Sequence, residues 1–171
     1  NANVNIQKIA DDYAALTEIP LPIRFDLKTA KTLGPLAFND DFPESRCWES
    51  AHPHVLEEET YNYIVDIGIT SDYLITKRAN NSRERKLVAK VSARHPAYMH
   101  TFSLTQNKIL LSEYPFRLSP LPLMLHLRPF IYNYRWKQNE KAQFLVIDKE
   151  TGRVDKIETD PFFSFHHVNA Y

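Results

Sequence analysis

Thr60 to Ile67 reads TYNYIVDI. It is followed by Asp72 to Thr76 (DYLIT) and then by Lys86 to Val91 (KLVAKV). β-Branched and aromatic residues fill all three runs, and each is too short to be a helix of ordinary length. They read as consecutive antiparallel strands. Between the last two, Ala79 to Arg85 (ANNSRER) is polar and charged, the composition of an exposed hairpin tip. Toward the N-terminus, Val4 to Ile9 alternates apolar and polar residues, the period of a half-buried strand. Asp11-Asp12 marks a tight turn, and Tyr13 to Thr17 and Pro22 to Leu27 extend the series. Toward the C-terminus the strand reading continues through Met99 to Leu104, Lys108 to Tyr114, Gln143 to Ile147 and Val154 to Ile157. The last pair flanks Asp148-Lys149-Glu150-Thr151-Gly152, a hairpin-loop composition. No long amphipathic helical pattern is present, and the 11 prolines argue the same way. The expected class is all-β, with a sandwich, a barrel or a propeller as the architecture. No short internal repeat of the kind that marks WD-type propellers is present.

At 171 residues and 43% hydrophobic content the chain is the size of one domain with a real core. Lys plus Arg and Asp plus Glu are balanced at 21 each. The basic footprint of a nucleic-acid binder is therefore missing, and no nucleic-acid partner is expected. Cys47 is the single cysteine, which excludes an internal disulfide and argues against a cysteine-based zinc site. No signal peptide and no bilayer-length apolar run is apparent, so a cytoplasmic location is expected. Leu118 to Pro129 (LSPLPLMLHLRP) is apolar and punctuated by proline. It reads as a buried connector, or else as a surface for peripheral membrane contact.

Three histidine-bearing segments stand out: Ala51-His52-Pro53-His54, Tyr98-Met99-His100-Thr101-Phe102 and Phe165-His166-His167-Val168-Asn169-Ala170-Tyr171. Each lies at the edge of a strand-like stretch. Imidazole is a neutral, borderline-soft ligand for iron, zinc, copper or nickel. Strand alternation sends His166 and His167 to opposite faces, so one of the two can join a shared centre. His52 and His54 have equal parity, and Pro53 disturbs pairing between them. His95 and His126 lie in stretches with no sign of a site. Glu18 ends an apolar strand. A carboxylate there suits the second ring N–H of a metal-bound histidine, and it offsets the charge of an all-histidine cation site.

Glu49-Ser50-Ala51-His52-Pro53-His54, Tyr98 to Thr105 (YMHTFSLT) and Phe165 to Tyr171 (FHHVNAY), in that order, resemble three signature stretches of the carotenoid cleavage oxygenase family. Asn3 to Glu18 also resembles that family's strand pair ahead of its first histidine. The resemblance implies a partial seven-bladed β-propeller with iron(II), Fe(2+), on its axis. It makes residues 1–171 part of a single propeller domain, incomplete at both ends. It implies His52, His100 and His166 as iron ligands and Glu18 as the hydrogen-bond partner of a ligand histidine. Val4 matches a position beside an open coordination site. Phe165 and, more weakly, Phe102 match walls for an apolar substrate. The family's fourth histidine and two further glutamates belong downstream of these matches, so the 171 residues alone are expected to be poorly stable and inactive. Ser103 stands where many relatives have glycine.

The activity so implied is cleavage of a conjugated double bond of a carotenoid or apocarotenoid, with O2 and an apolar polyene as substrates. Two alternatives remain at this point: a retinoid isomerohydrolase on the same iron site, and a non-catalytic propeller segment that has lost its metal. A zinc hydrolase fits less well, since no HExxH-type glutamate accompanies the histidines.

Overall fold

In the computed structural model, which describes residues 4–171, short antiparallel strands pair into small sheets arranged consecutively along the chain. The first sheet has the order β1 (Asn5–Ile9), β2 (Asp12–Leu16), β3 (Ile23–Phe25), β4 (Thr32–Pro35). Its tight first hairpin turns at Ala10, which takes a left-handed φ of 51°. Its inner face is a small cluster of Ile9, Ala14, Leu16, Leu36 and Ala51, with Phe38 packed against it.

The second sheet contains the three runs that set the fold class. It comprises β5 (Cys47–Glu49), β6 (His54–Val55), β7 (Glu59–Asp66), β8 (Ser71–Ala79) and β9 (Lys86–Ala93). β5 and β6 both pair with β7, and β8 and β9 follow in order. The third sheet has the order β10 (Ser103–Leu104), β11 (Lys108–Glu113), β14 (Ala142–Asp148), β15 (Val154–Thr159). Between β11 and β14 the chain makes a two-stranded ribbon, β12 (Phe116–Leu118) with β13 (Tyr134–Trp136). A short helix α1 (Pro120–Met124) and a 3-10 turn (Phe130–Asn133) join the ribbon strands. One apolar core unites the second and third sheets and the ribbon. It includes Tyr63, Val65, Tyr73, Ile75, Ile109, Leu111, Leu118, Tyr134, Leu145 and Ile147. Four-stranded antiparallel sheets in succession are the unit from which propeller blades are made.

The hairpin Asp148 to Gly152 forms as its composition predicts. Asp148 Oδ1 accepts the amide of Thr151 (2.8 Å), and Gly152 has φ +69°. The same glycine lies against β9: a β-carbon there would overlap the carbonyl oxygen of Val88. Both its conformation and this close approach need glycine.

Three expectations are corrected. Met99 to Phe102 is not ladder strand; pairing begins at Ser103. Side chains of the second sheet take its carbonyls instead, with the Tyr63 hydroxyl donating to Met99 and Ser50 Oγ to His100. The tip at 79–85 is not wholly exposed. Arg85 is buried, pairs with Asp40 (2.8 Å) and Glu49 (3.4 Å), and lies 4.0 Å over the Phe38 ring. The apolar segment 118–129 is not a buried connector. Leu118 and Pro120 are buried, but Leu121, Leu125 and Leu127 are 63%, 58% and 66% exposed. Proline at the start of α1 is compatible with its first turn, and the helix is too short to hide more. No described helix is long and apolar enough to cross a membrane.

Candidate metal centre

The structure brings His52, His100 and His166 together: one ring nitrogen of each lies within 4.8 Å of the other two. The ring centroids are 4.7 Å (His52–His100), 5.3 Å (His52–His166) and 5.1 Å (His100–His166) apart.

His52 reaches this point through a detour in the second sheet. Glu49 faces Ile64 and His54 faces Tyr61, so five steps on one strand run against three on β7. The surplus residues bulge out, and a bulge re-aims a side chain. Pro53 suits the detour because it has no amide to leave unpaired. Ser50, 3% exposed, fixes the bulge. Its Oγ accepts the His52 amide (3.2 Å) and donates to the His100 carbonyl (2.7 Å). Asn5 Nδ2 ties the first sheet to the Ala51 carbonyl next door (3.0 Å).

His100 is oriented from behind. Its Nδ1 lies 2.7 Å from Glu18 Oε1. An ionised carboxylate only accepts, so Nδ1 carries the proton and the Nε2 lone pair faces His52 and His166. The Tyr98 hydroxyl donates to the same Glu18 oxygen (2.9 Å). Burial, and then the Glu18 charge, hold the Tyr98 phenol well above its usual range, so it stays a donor. Glu18 is itself placed by its backbone, which accepts the Glu49 amide at 3.0 Å.

His166 arrives on a segment without regular structure and is exposed. Its neighbour His167 turns the other way, with Nδ1 2.6 Å from Ser103 Oγ and Nε2 3.3 Å from the Tyr114 hydroxyl. His54 is engaged too: its Nε2 donates to the Phe102 carbonyl (2.8 Å). In each histidine doublet, then, one ring faces the centre and the other serves as an anchor. His95 bonds the Leu118 carbonyl (3.2 Å), and His126 lies by α1 with a left-handed φ of 52°.

Burial depresses the basicity of His52, and the neighbouring His100 and His166 add to this, while Glu18 opposes it weakly. The neutral ring is the ligand form. His52 Nε2 and His100 Nε2 are 3.0 Å apart. Adjacent ligands on a divalent first-row ion with bonds of about 2.1 Å have this separation. Three imidazoles with one carboxylate behind them thus fit a transition-metal ion.

Val4 is 40% exposed, its amide bonded to the Leu16 carbonyl (3.0 Å), next to the Asn5 that ties to Ala51. Phe165 packs its ring 5.8 Å from that of His100 and helps line an apolar cleft of about 390 Å³ with Tyr98, Phe116, Ile131, Trp136 and Phe163. Phe102 lies in the core at 2% exposed, against Tyr63 and His54. Sequence reasoning did not single out Ser50, Tyr98 or Thr101, each of which holds a histidine segment. Their only signal was that they lie within the quoted motifs.

The family model described as retinal pigment epithelial membrane protein matches residues 1–171. Carotenoid cleavage dioxygenase 8 of Arabidopsis thaliana is 30% identical over 178 residues, covering 100% of this chain and 31% of that protein. A carotenoid isomerooxygenase of Galleria mellonella is 28% identical over 185 residues (100% and 36%). The mouse β,β-carotene 15,15'-dioxygenase is 27% identical over 197 residues (100% and 34%). The chain spans about a third of the length of these relatives. Among solved structures, a Synechocystis apocarotenoid oxygenase superposes with a TM-score of 0.82 at 21% identity, covering 99% of this chain and 37% of that one. A cobalt-substituted form of the Synechocystis protein gives 0.80 at 22% (99% and 37%). These superpositions establish the fold as that of the oxygenase propeller.

Proposed function

The chain belongs to the retinal pigment epithelial membrane protein family, that of the carotenoid cleavage oxygenases, and we propose that it forms part of a non-haem iron(II) dioxygenase that cleaves a conjugated double bond of a carotenoid or apocarotenoid to two carbonyl products. The observation that carries this reading is the convergence of His52, His100 and His166 within 4.8 Å, with Glu18 behind His100. His52, His100 and His166 would hold the ion. Bound iron(II) supplies the one-electron chemistry that lets O2 react with a closed-shell polyene. The cobalt-substituted relative supports a site able to take a first-row divalent ion.

The chain's own part is to position and to exclude. Glu18 and Tyr98 fix the tautomer and tilt of His100, and burial of His52 favours its neutral, ligand form. The apolar cleft beside Phe165 offers a polyene no hydrogen-bonding handle. Cleft shape and length therefore select the bond that is presented. Val4, which precedes the Asn5 bonded to Ala51, would border an open position of the ion. Phe102 supports the site from the core rather than lining it. No side chain needs to act as general acid or base.

A polyene resides in membranes, and this chain carries an apolar face to match. Leu121, Leu125, Leu127 and Ile131 are exposed, and so are the nearby cationic residues in sequence, Arg128, Arg135 and Lys137. We propose a cytoplasmic protein with peripheral membrane contact through residues 118–129.

The test is reconstitution of the full-length protein with iron(II) under anaerobic conditions, followed by O2 and an apocarotenal, with products separated by chromatography. Two carbonyl fragments are expected. An alcohol and a fatty acid from a retinyl ester would instead assign an isomerohydrolase. Failure to retain any iron would assign a non-catalytic propeller.

A further inference from the structure

His166 is delivered by a segment that has no ladder of its own. β15 ends at Thr159, and among the described residues no backbone–backbone hydrogen bond is made by 160–171. Phe162 and Phe163 pack on Tyr114 with centroids at 5.1 Å each. Ring packing of this kind tolerates sliding, whereas a ligand nitrogen must be held within about half an ångström. A directional tie is therefore needed close to His166.

Thr101 supplies it. Its Oγ1 donates to the Phe165 carbonyl (2.9 Å) and accepts the His167 amide (3.2 Å). A single hydroxyl thus clips the residues on both sides of His166. Thr101 is 8% exposed, so water competes poorly for these bonds. It also follows His100 directly, which makes one dipeptide the source of both a histidine and the clip for the next. Ser50 offers a parallel: its hydroxyl bridges the His52 amide and the His100 carbonyl. We infer that Thr101 is the positioning residue of His166, and that its hydroxyl, not its bulk, closes the triangle of rings. The inference rests on the reading of that triangle as a metal centre, and its test separates the two.

The experiment compares wild type, Thr101→Val and Thr101→Ser in the full-length protein, by crystal structure and by Co(2+) titration followed in the visible spectrum. In Thr101→Val the His166 nitrogen should leave the 4.8 Å cluster. Its Co(2+) affinity should fall about 10–100-fold, and Thr101→Ser should restore both. Thr101→Ala replaces the valine variant if that does not fold. A valine or alanine variant with His166 still in place overturns the inference, and so does a serine variant that loses the ring as valine does. Wild type that takes up no Co(2+) defeats the metal reading, while the ring positions still decide the role of Thr101.

Discussion

His100 and His166 face the same point but are held in opposite ways. The His100 ring is 15% exposed, backed by Glu18 and Tyr98, and its carbonyl is taken by Ser50. The His166 ring is exposed, and none of the described residues hydrogen-bonds to it. One ligand is built into the framework, and the other is carried to it on a tethered strip. The lesson is that a converging site can be assembled from a rigid half and an adjustable half. The interactions that matter to each are then different: core packing and a half-buried carboxylate for the first, a hydroxyl clip for the second.

The largest expected effect contrasts two phenylalanines, one in each half. Phe102→Ala should cost about 3–5 kcal/mol of stability by chemical denaturation, since it opens a cavity under His54 and Tyr63. Phe165→Ala, at a site 55% exposed, should cost no more than about 0.5 kcal/mol. Its effect should instead be a raised KM for an apolar substrate. Equal destabilisation would erase the distinction between framework and strip.

Next is Glu18→Gln, which should lower metal affinity about 10–100-fold by isothermal titration. Tyr98→Phe should do less, because Glu18 keeps its bond to His100. A smaller effect is pH-dependent. His52 has its folded pKa below the ordinary value of about 6.5, first through burial and then through its two histidine neighbours. Its contribution to apo-protein stability is therefore complete above that value and is lost as pH falls toward the folded pKa. An NMR titration of the His52 ring should give a midpoint below 6.5; one above it would contradict the assigned surroundings. The smallest effect is expected from Leu125→Glu, which should reduce sedimentation with liposomes and leave stability within about 0.5 kcal/mol. Unchanged sedimentation would remove residues 118–129 from membrane contact.

Much of this was legible in the residues. The runs at 60–67, 72–76 and 86–91 carry strand composition so strongly that β7, β8 and β9 follow from it directly. His166 and His167 do face apart, but on a segment without regular structure rather than by strand alternation. Other features escaped because they depend on contacts remote in sequence. The pairing of β5 and β6 on one strand cannot be read from CWE and HV alone. Arg85 looked like a surface charge because its partner Asp40 lies 45 positions away. The apolar run at 118–129 looked buried because apolar composition does not say which face finds a neighbour.

Gly152 has a bearing on all of this from a distance. The absence of a β-carbon there is what allows the 148–152 hairpin to nestle against Val88. Any larger group there would act as a shim in the seam between the second and third blades. His52 is anchored on one side of that seam, while the polypeptide bearing His100 and Thr101 leads into the other. A methyl group at residue 152 would thus be felt as a wider gap between those two blades, with no metal-facing atom altered.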